Sequence, residues 1–573
     1  MRKDHLDAVE TMFRQAMETH PVFSGLDMDQ LQTLSKDFFR SFEAFSSGED
    51  HPLAAWTSSW LKYQNDLAQV WMSSLVPGSD PVAASKDRRF QSEGWNEGVF
   101  PLLRQSYELT VKAMTDAADN AGLPEHEQNK LSFYARVAAD NMAPSNFAVT
   151  NPDVLKLAKE TGGQSLIDGF QNLLSDLEKG YITTTDEDAF EVGKNLATTP
   201  GQVVFRNDLI ELIQYEPMTA KVRGNPILIV PPCVNKFYIF DLNEKKSMIR
   251  HMLEQGQSVF TISWRNPGPD QGDNGWDEYI RDGVFEALKA TSAISKSENV
   301  DMLGWCNGGT MLIAALAVIP EDLKALVGSA TFLSSMIDFS DPGQVKVFMD
   351  DQQNAAYNLR LQSEKVAPGR DIANAMAMLH VNDSIWNFVI SNYLMGKTPA
   401  PFDVLYWNSD TSNLPAKWYS YYIEEMYMAN RLKEPGALTL LETPVDTQNI
   451  DVPCYFVAAD GDHIVPWRGS YTATSLVSGP TEFVLTTGGH VSGTVINHPT
   501  RNRKRFWTAG ETTGDADAWQ ASAAVSDGSW WPHWLEWLQK SNPAQQITKP
   551  RSLGNKSYKA LAAAPGTYVV ENA

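Results

Sequence analysis

Apolar residues recur along the chain in two different rhythms. Near the start, Leu31, Leu34, Phe38, Phe42 and Phe45 fall at steps of three and four, which predicts a helix with one apolar face. A second such pattern runs from Trp56 to Trp71, with Trp60, Leu61, Leu67 and Val70 between them. These stripes are expected to pack on each other or on a neighbouring domain; the rival is a surface for a partner helix or a hydrophobic particle. The link "VPGSDPVAASKD" follows, and helical pattern then resumes to about residue 195.

The rhythm changes after "ATTPGQVVFRNDLIELIQY". Short β-type runs now alternate with helical stretches: "VVFRN", "ELIQY", "PILIVPP", "SVFTISW", "NVDMLGW", "ALVGSA", "VPCYFVAA" and "TEFVLTT". Continuous apolar runs of this length suit strands buried on both faces, and their alternation with helices predicts an α/β sheet. Between about 341 and 440 the alternation stops. That stretch is aromatic, with Trp386, Phe388, Tyr393, Phe402, Tyr406, Trp407, Trp418, Tyr419, Tyr421 and Tyr422, and reads as a helical cap. The expected division is a helical domain over 1–195 and an α/β domain over 196–573 with the cap inserted.

The run "LGWCNGGTML" sits where a strand gives way to an Ala/Leu/Ile-rich helix. Its frame, Gly304-x-Cys306-x-Gly308, is that of a nucleophile elbow: glycines permit a tight strand-to-helix turn that exposes the central residue. The helix aims its N–H groups at the thiol, which favours the thiolate. The plain alternative is a small buried cysteine. With the elbow goes an α/β-hydrolase fold, whose triad follows in the order nucleophile, acid, histidine. "DGDHIVPW" offers Asp460 and Asp462, the latter better placed; "LTTGGHVSG" offers His490 on what should be a flexible loop. His463 adjoins the acid, in a structural or accessory role, and His498 reads as solvent-facing. The backbone N–H of Asn307 is one expected oxyanion donor, and the other comes from the loop "PPCVNKF" near Cys233 and Val234. Cys233 and Cys454 read as buried and structural.

Composition narrows the setting. The net charge of −23 argues against general nucleic-acid binding. Three cysteines make neither a disulfide scaffold nor a metal knuckle, so no metal is expected. No signal-type leader stands at the N-terminus, and no apolar run reaches the roughly 18 residues a membrane span needs, which together predict a cytoplasmic protein.

Several motifs taken together, "GWCNGG", "PPCVNKFYIFDL", "SWRNPG", "FDVLYWNSDTSNLP", "DHIVPW", "GGHVSGTVINHP" and "GSWWPHW", with "DRRF", "NMAPSNFAVTNP" and "ATTPGQVV" upstream, resemble the polyhydroxyalkanoate synthases, in particular the single-subunit class I type. The resemblance covers roughly 85–570. It implies that Cys306 carries the acyl group, that Asp462 is the triad carboxylate and His490 the base, and that (R)-3-hydroxyacyl-CoA, most simply 3-hydroxybutyryl-CoA, is polymerised to a polyester with release of coenzyme A. In this family Asp462 is alternatively proposed to help activate the 3-hydroxyl. Trp407 and Asp241 match family positions without an assigned catalytic role. Arg265 and Lys236 offer positive charge for the phosphates of coenzyme A, plain surface roles being the alternative. No cofactor is implied, since coenzyme A belongs to the substrate and leaves as product. The expected partners are the polyester chain, the storage-granule surface, phasin-type granule proteins and a second copy in a homodimer. The rival readings are a thioesterase or lactone hydrolase with the same elbow, and a non-catalytic granule scaffold.

Overall fold

The computed structural model describes residues 62–71, 85–500, 503–510, 514–550 and 552–572. The stripe from Leu31 to Phe45 and the first part of that from Trp56 lie outside them; residues 62–71 are helical.

The chain divides into two compact units. One takes residues up to Asp186 together with Ala375–Pro401; the other takes Glu187–Asn374 and Phe402–Ala573. The boundary therefore falls at 186/187, not at 195/196, and the aromatic region expected over 341–440 is split between the units. Its middle part folds with the helical unit because specific contacts hold it there. Gly169 lies so close to the Tyr393 carbonyl oxygen that a β-carbon would stand 2.0 Å away. The Tyr393 hydroxyl donates to Asp176 at 2.7 Å, and the Trp386 indole donates to the Asn141 side chain at 2.9 Å.

The helical unit contains α1 (Phe100–Asp119), α2 (Glu125–Asn141), α3 (Pro152–Glu160) and α4 (Gln164–Lys179). Local chemistry sets their ends. Asn151 caps α3 by accepting from the Asp153 and Val154 N–H groups at 3.0 and 3.3 Å, with Pro152 opening the helix. Gly180, at φ 79, closes α4. The "DRRF" motif is a structural pin: Arg89 bridges Asp87 at 2.7 Å and Asp140 at 3.1 Å, while Phe90 meets Trp95 edge-on at 4.8 Å.

The second unit is built on one sheet of eleven strands: β1 (Gly201–Arg206), β2 (Ile210–Tyr215), β3 (Ile227–Val230), β4 (Val259–Trp264), β5 (Val300–Trp305), β6 (Val327–Leu333), β7 (Cys454–Ala459), β8 (Thr481–Thr486), β9 (Arg505–Thr508), β10 (Ala524–Asp527) and β11 (Ala562–Ala563). They lie in the order β10-β9-β8-β7-β6-β5-β3-β4-β2-β1-β11. The six central strands from β8 to β4 run parallel, and the outer ones are antiparallel. Every residue of β3, β5 and β7 is buried, as expected of strands covered on both faces. All eight β-type runs of the sequence contribute to the sheet, and Cys454 is buried in β7 as expected.

A buried ion pair lies inside this apolar layer. Asp301 of β5 pairs with buried Arg223 and accepts from Ser329 at 2.5 Å and from Asn542 at 2.8 Å. Asn542 follows helix α7 (Trp531–Ser541), so the buried ion pair ties that helix to the centre of the sheet. The helices between these ends that matter for the site are α5 (Asn307–Ala317) and the one-turn α6 (His490–Thr494).

Candidate active site

Five parallel strands end on one edge of the sheet, where such folds collect their chemistry. β5 delivers Cys306, β6 Ser334, β7 the loop with Asp462, β8 the turn before His490, and β3 the loop from Pro231 to Val234. Residues far apart in sequence meet here because the strands are neighbours in register: Trp305 faces Leu333, Leu333 faces Val457, and Ala459 faces Thr486.

Cys306 occupies a backbone of φ 55 and ψ −133, a conformation most side chains avoid. It is locked from both sides. Its N–H donates to Leu333 at 3.0 Å, and its carbonyl accepts the first N–H groups of α5, from Gly309 and Thr310. The flanking glycines are required by contact. A β-carbon at Gly304 would stand 2.5 Å from the Gly309 Cα, and one at Gly308 would stand 2.4 Å from the Pro231 carbonyl oxygen. Cys306 is half-buried, whereas Cys233 and Cys454 are buried.

His490 is buried at the first position of α6, so it sits on a helical turn and not on the flexible loop expected. Its Nδ1 lies 2.6 Å from Asp462 Oδ2. Burial opposes a charged imidazole. The negative charges of Asp462 and Cys306, and hydrogen bonds to both, outweigh it and push the histidine up to about 10.

Asp462 is saturated with donors. Oδ2 also accepts from Ser334 Oγ at 2.9 Å, and Oδ1 accepts from the Ile464 and Val465 N–H groups at 3.0 and 2.9 Å. Burial would raise its proton affinity, but the His490 charge and these hydrogen bonds hold the carboxyl below its usual range. Asp460, the other candidate acid, is exposed and accepts instead from the Gly488 N–H at 2.9 Å. His463 is half-buried on the Asp462 loop. His498 is not simply solvent-facing: it is half-buried, with its ring 5.4 Å from His251 and 5.7 Å from Trp531.

At the oxyanion side, the Asn307 N–H heads α5, where the first N–H groups have no partner within the helix. The Asn307 side chain turns back and accepts from the Cys233 N–H at 3.1 Å. That engages Cys233 and leaves Val234, next along the same loop, as the candidate second donor.

The remaining sequence candidates fall in different places. Trp407 is buried, its indole donates to the Lys236 carbonyl at 2.7 Å, and its ring lies 6.0 Å from that of Trp305. Trp305 in turn lies 5.1 Å from the His490 ring, so Trp407 reaches the site through one intervening indole. Asp241 does not join the triad; its buried carboxyl accepts from Thr199 and Ser247 at 2.6 Å each and pins the chain before β1. Arg265 stands 3.7 Å from Glu571, and Lys236 stands 2.6 Å from Asp410, so each already faces an acid of this chain.

Sequence reasoning missed three residues of the candidate site. Ser334 bears on Asp462. Tyr422 and Tyr427, on a π-helical segment (Tyr422–Met428), have rings 5.1 Å apart, and both phenols are raised by burial first and then also by the Cys306 charge. Wide helical turns of this kind recur at functional sites, and no sequence pattern announces them. Among the described residues, no cluster of three or more His, Cys, Asp or Glu side chains is arranged to hold a metal, and no helix is long and apolar enough to cross a membrane.

Known proteins are similar to this chain over most of its length. Residues 86–252 match the family described as poly-beta-hydroxybutyrate polymerase (PhaC) N-terminus, and residues 226–493 match the alpha/beta hydrolase fold. The poly(3-hydroxyalkanoate) polymerase subunit PhaC of Cupriavidus necator is 39% identical over 514 residues, 89% of this chain and 87% of that one. Poly(3-hydroxyalkanoate) polymerase 1 of Ectopseudomonas oleovorans is 40% identical over 87% of this chain and 88% of its own length. The poly(3-hydroxyalkanoate) polymerase of Methylorubrum extorquens is 37% identical over 94% and 90%. With identity at this level across nearly the whole length, the chain belongs to the poly(3-hydroxyalkanoate) polymerases, acyltransferases built on the α/β-hydrolase fold.

Proposed function

We propose that this polymerase links short-chain (R)-3-hydroxyacyl units, 3-hydroxybutyryl foremost, through a thioester on Cys306, with His490 as proton carrier and Asp462 as its carboxylate. The observation that carries the reading is the His490 imidazole 2.6 Å from the Asp462 oxygen, on the same sheet edge where Cys306 stands at the tip of a strained elbow.

The thiolate of Cys306 attacks the carbonyl carbon of the acyl-CoA. The oxygen takes up negative charge opposite the N–H groups of Asn307 and Val234. Collapse breaks the carbon–sulfur bond to coenzyme A, whose thiolate leaves with the His490 proton. One thioester has replaced another at little free-energy cost, so the acyl group remains activated. Acylation also removes the negative charge that had helped hold a proton on His490, and the neutral imidazole becomes a base. It takes the proton of a 3-hydroxyl. The alkoxide attacks an acyl thioester, an ester bond forms, and a thiolate is released to pair again with His490. Serine at 306 would form a lower-energy ester and a poorer acyl donor. The four donors around Asp462 favour its place in the triad over direct contact with the 3-hydroxyl.

Incubation with 3-hydroxybutyryl-CoA and with longer acyl-CoAs tests the reading. Coenzyme A release with insoluble polyester, fastest for the short chain, is the expected result. Release with free acid alone would mean a thioesterase. Polymer formation unchanged in Cys306→Ala would overturn the assignment of the nucleophile.

A further inference from the structure

Ser334 follows β6 directly and is fully buried. Its N–H donates to the Val457 carbonyl of β7 at 2.7 Å. Its Oγ donates to Asp462 Oδ2 at 2.9 Å, the same oxygen that meets His490 Nδ1 at 2.6 Å. The backbone there has φ 41, in the left-handed region that glycine enters freely and serine does not. A turn with only a structural task would be better served by glycine. What serine adds is a β-carbon, which the conformation disfavours, and a hydroxyl, which points at the carboxylate.

We propose that Ser334 is a positioning residue for the catalytic pair, its hydroxyl holding Asp462 Oδ2 in line with His490 Nδ1 and keeping that carboxyl ionised. The inference rests on the triad reading above. Oδ1 is fixed independently by the Ile464 and Val465 N–H groups. Without Ser334 the carboxyl stays tethered at one oxygen while the working oxygen is free to swing. The loss also removes one of the hydrogen bonds that favour the charged carboxylate. The titratable groups facing Asp462 are His490, Cys306 beyond it, and Tyr427 of the π-helical segment. Tyr427 is held well above the ordinary tyrosine range and stays neutral through the working pH.

Ser334→Gly and Ser334→Ala separate strain from chemistry. Three quantities are measured on the full chain: melting temperature, kcat and KM for coenzyme A release from 3-hydroxybutyryl-CoA, and the pH dependence of Cys306 alkylation by iodoacetamide. Ser334→Gly is expected to melt at or above the parent temperature because the backbone relaxes. Its kcat should fall about tenfold with KM little changed, and the acid limb of the alkylation profile should move up by about one pH unit, the scale of one charge-assisted hydrogen bond. Ser334→Ala should show the same kinetics without the gain in melting temperature. Parent-like kcat and alkylation profiles in a folded Ser334→Gly would overturn the inference, even if Ser334→Ala failed to fold. Alkylation needs no acyl substrate, so a shifted limb in a protein that releases no coenzyme A would sink the substrate reading and leave the role of Ser334 standing.

Discussion

Trp305 lies tilted against His490, the ring centroids 5.1 Å apart and the planes inclined by 33°. Trp305 is the residue before Cys306, so the strand end that leads to the thiol also sets an aromatic ring beside the imidazole. An indole face within about 6 Å of a cation stabilises it by roughly 0.5–2 kcal/mol. In Trp305→Leu, His490 should lose its proton more readily, by up to about one pH unit. The check is the alkaline limb of Cys306 alkylation, which should move to lower pH. An unmoved limb in a folded variant would show that the contact is packing only.

The Asp462–His490 pair also links stability to pH in a definite direction. His490 holds its proton to about 10 in the folded chain against 6.5 when free. Its contribution is thus complete below about 6.5 and is lost as pH rises toward 10. Asp462 is shifted downward, so its contribution is complete above the ordinary carboxylate value and is lost as pH falls below it. The melting temperature of the parent chain should therefore decline between pH 6.5 and 10 more steeply than that of His490→Gln. Equal slopes would mean that the imidazolium adds nothing to the fold.

Gly304→Ala places a methyl group 2.5 Å from the Gly309 Cα, with backbone on both sides and no flexible side chain to yield. Overpacking of this kind costs about 1–3 kcal/mol or more, and here it also displaces the elbow. A lower melting temperature together with slower Cys306 alkylation is the expected pair of results. A parent-like melting curve would show that the elbow can relax.

The buried pair of Arg223 and Asp301 predicts non-additivity. Asp301→Ala leaves a buried guanidinium without its counter-charge and should destabilise the chain by about 3–5 kcal/mol. Arg223→Met combined with Asp301→Leu removes both charges and should recover much of the loss. Urea unfolding of the single and double variants reads this directly.

What the sequence made legible follows from period and order. The strands were visible because continuous apolar runs have few other uses, and the elbow because two glycines bracket a nucleophile between a strand and a helix. The acid and base then followed in the order the fold dictates, and the structure brings Asp462 and His490 together. Other features carried no such signature. Ser334 is one of two adjacent serines, and only its backbone angle and its distance to Asp462 single it out. The aromatic residues of 341–440 were all equally suited to a cap. That Trp386 and Tyr393 pack with the helical unit depends on partners more than two hundred positions away, Asn141 and Asp176. Lys236 and Arg265 looked available for phosphate because a sequence does not show that Asp410 and Glu571 stand beside them.

Asn307 has a double duty. Its main chain opens the helix behind Cys306, while its side chain grips the Cys233 amide on the loop from the neighbouring strand. One residue thereby acts as a spacer bar between two separately anchored pieces of backbone. The two stretches of backbone on either side of Cys306 are thereby tied to one another by a single side chain.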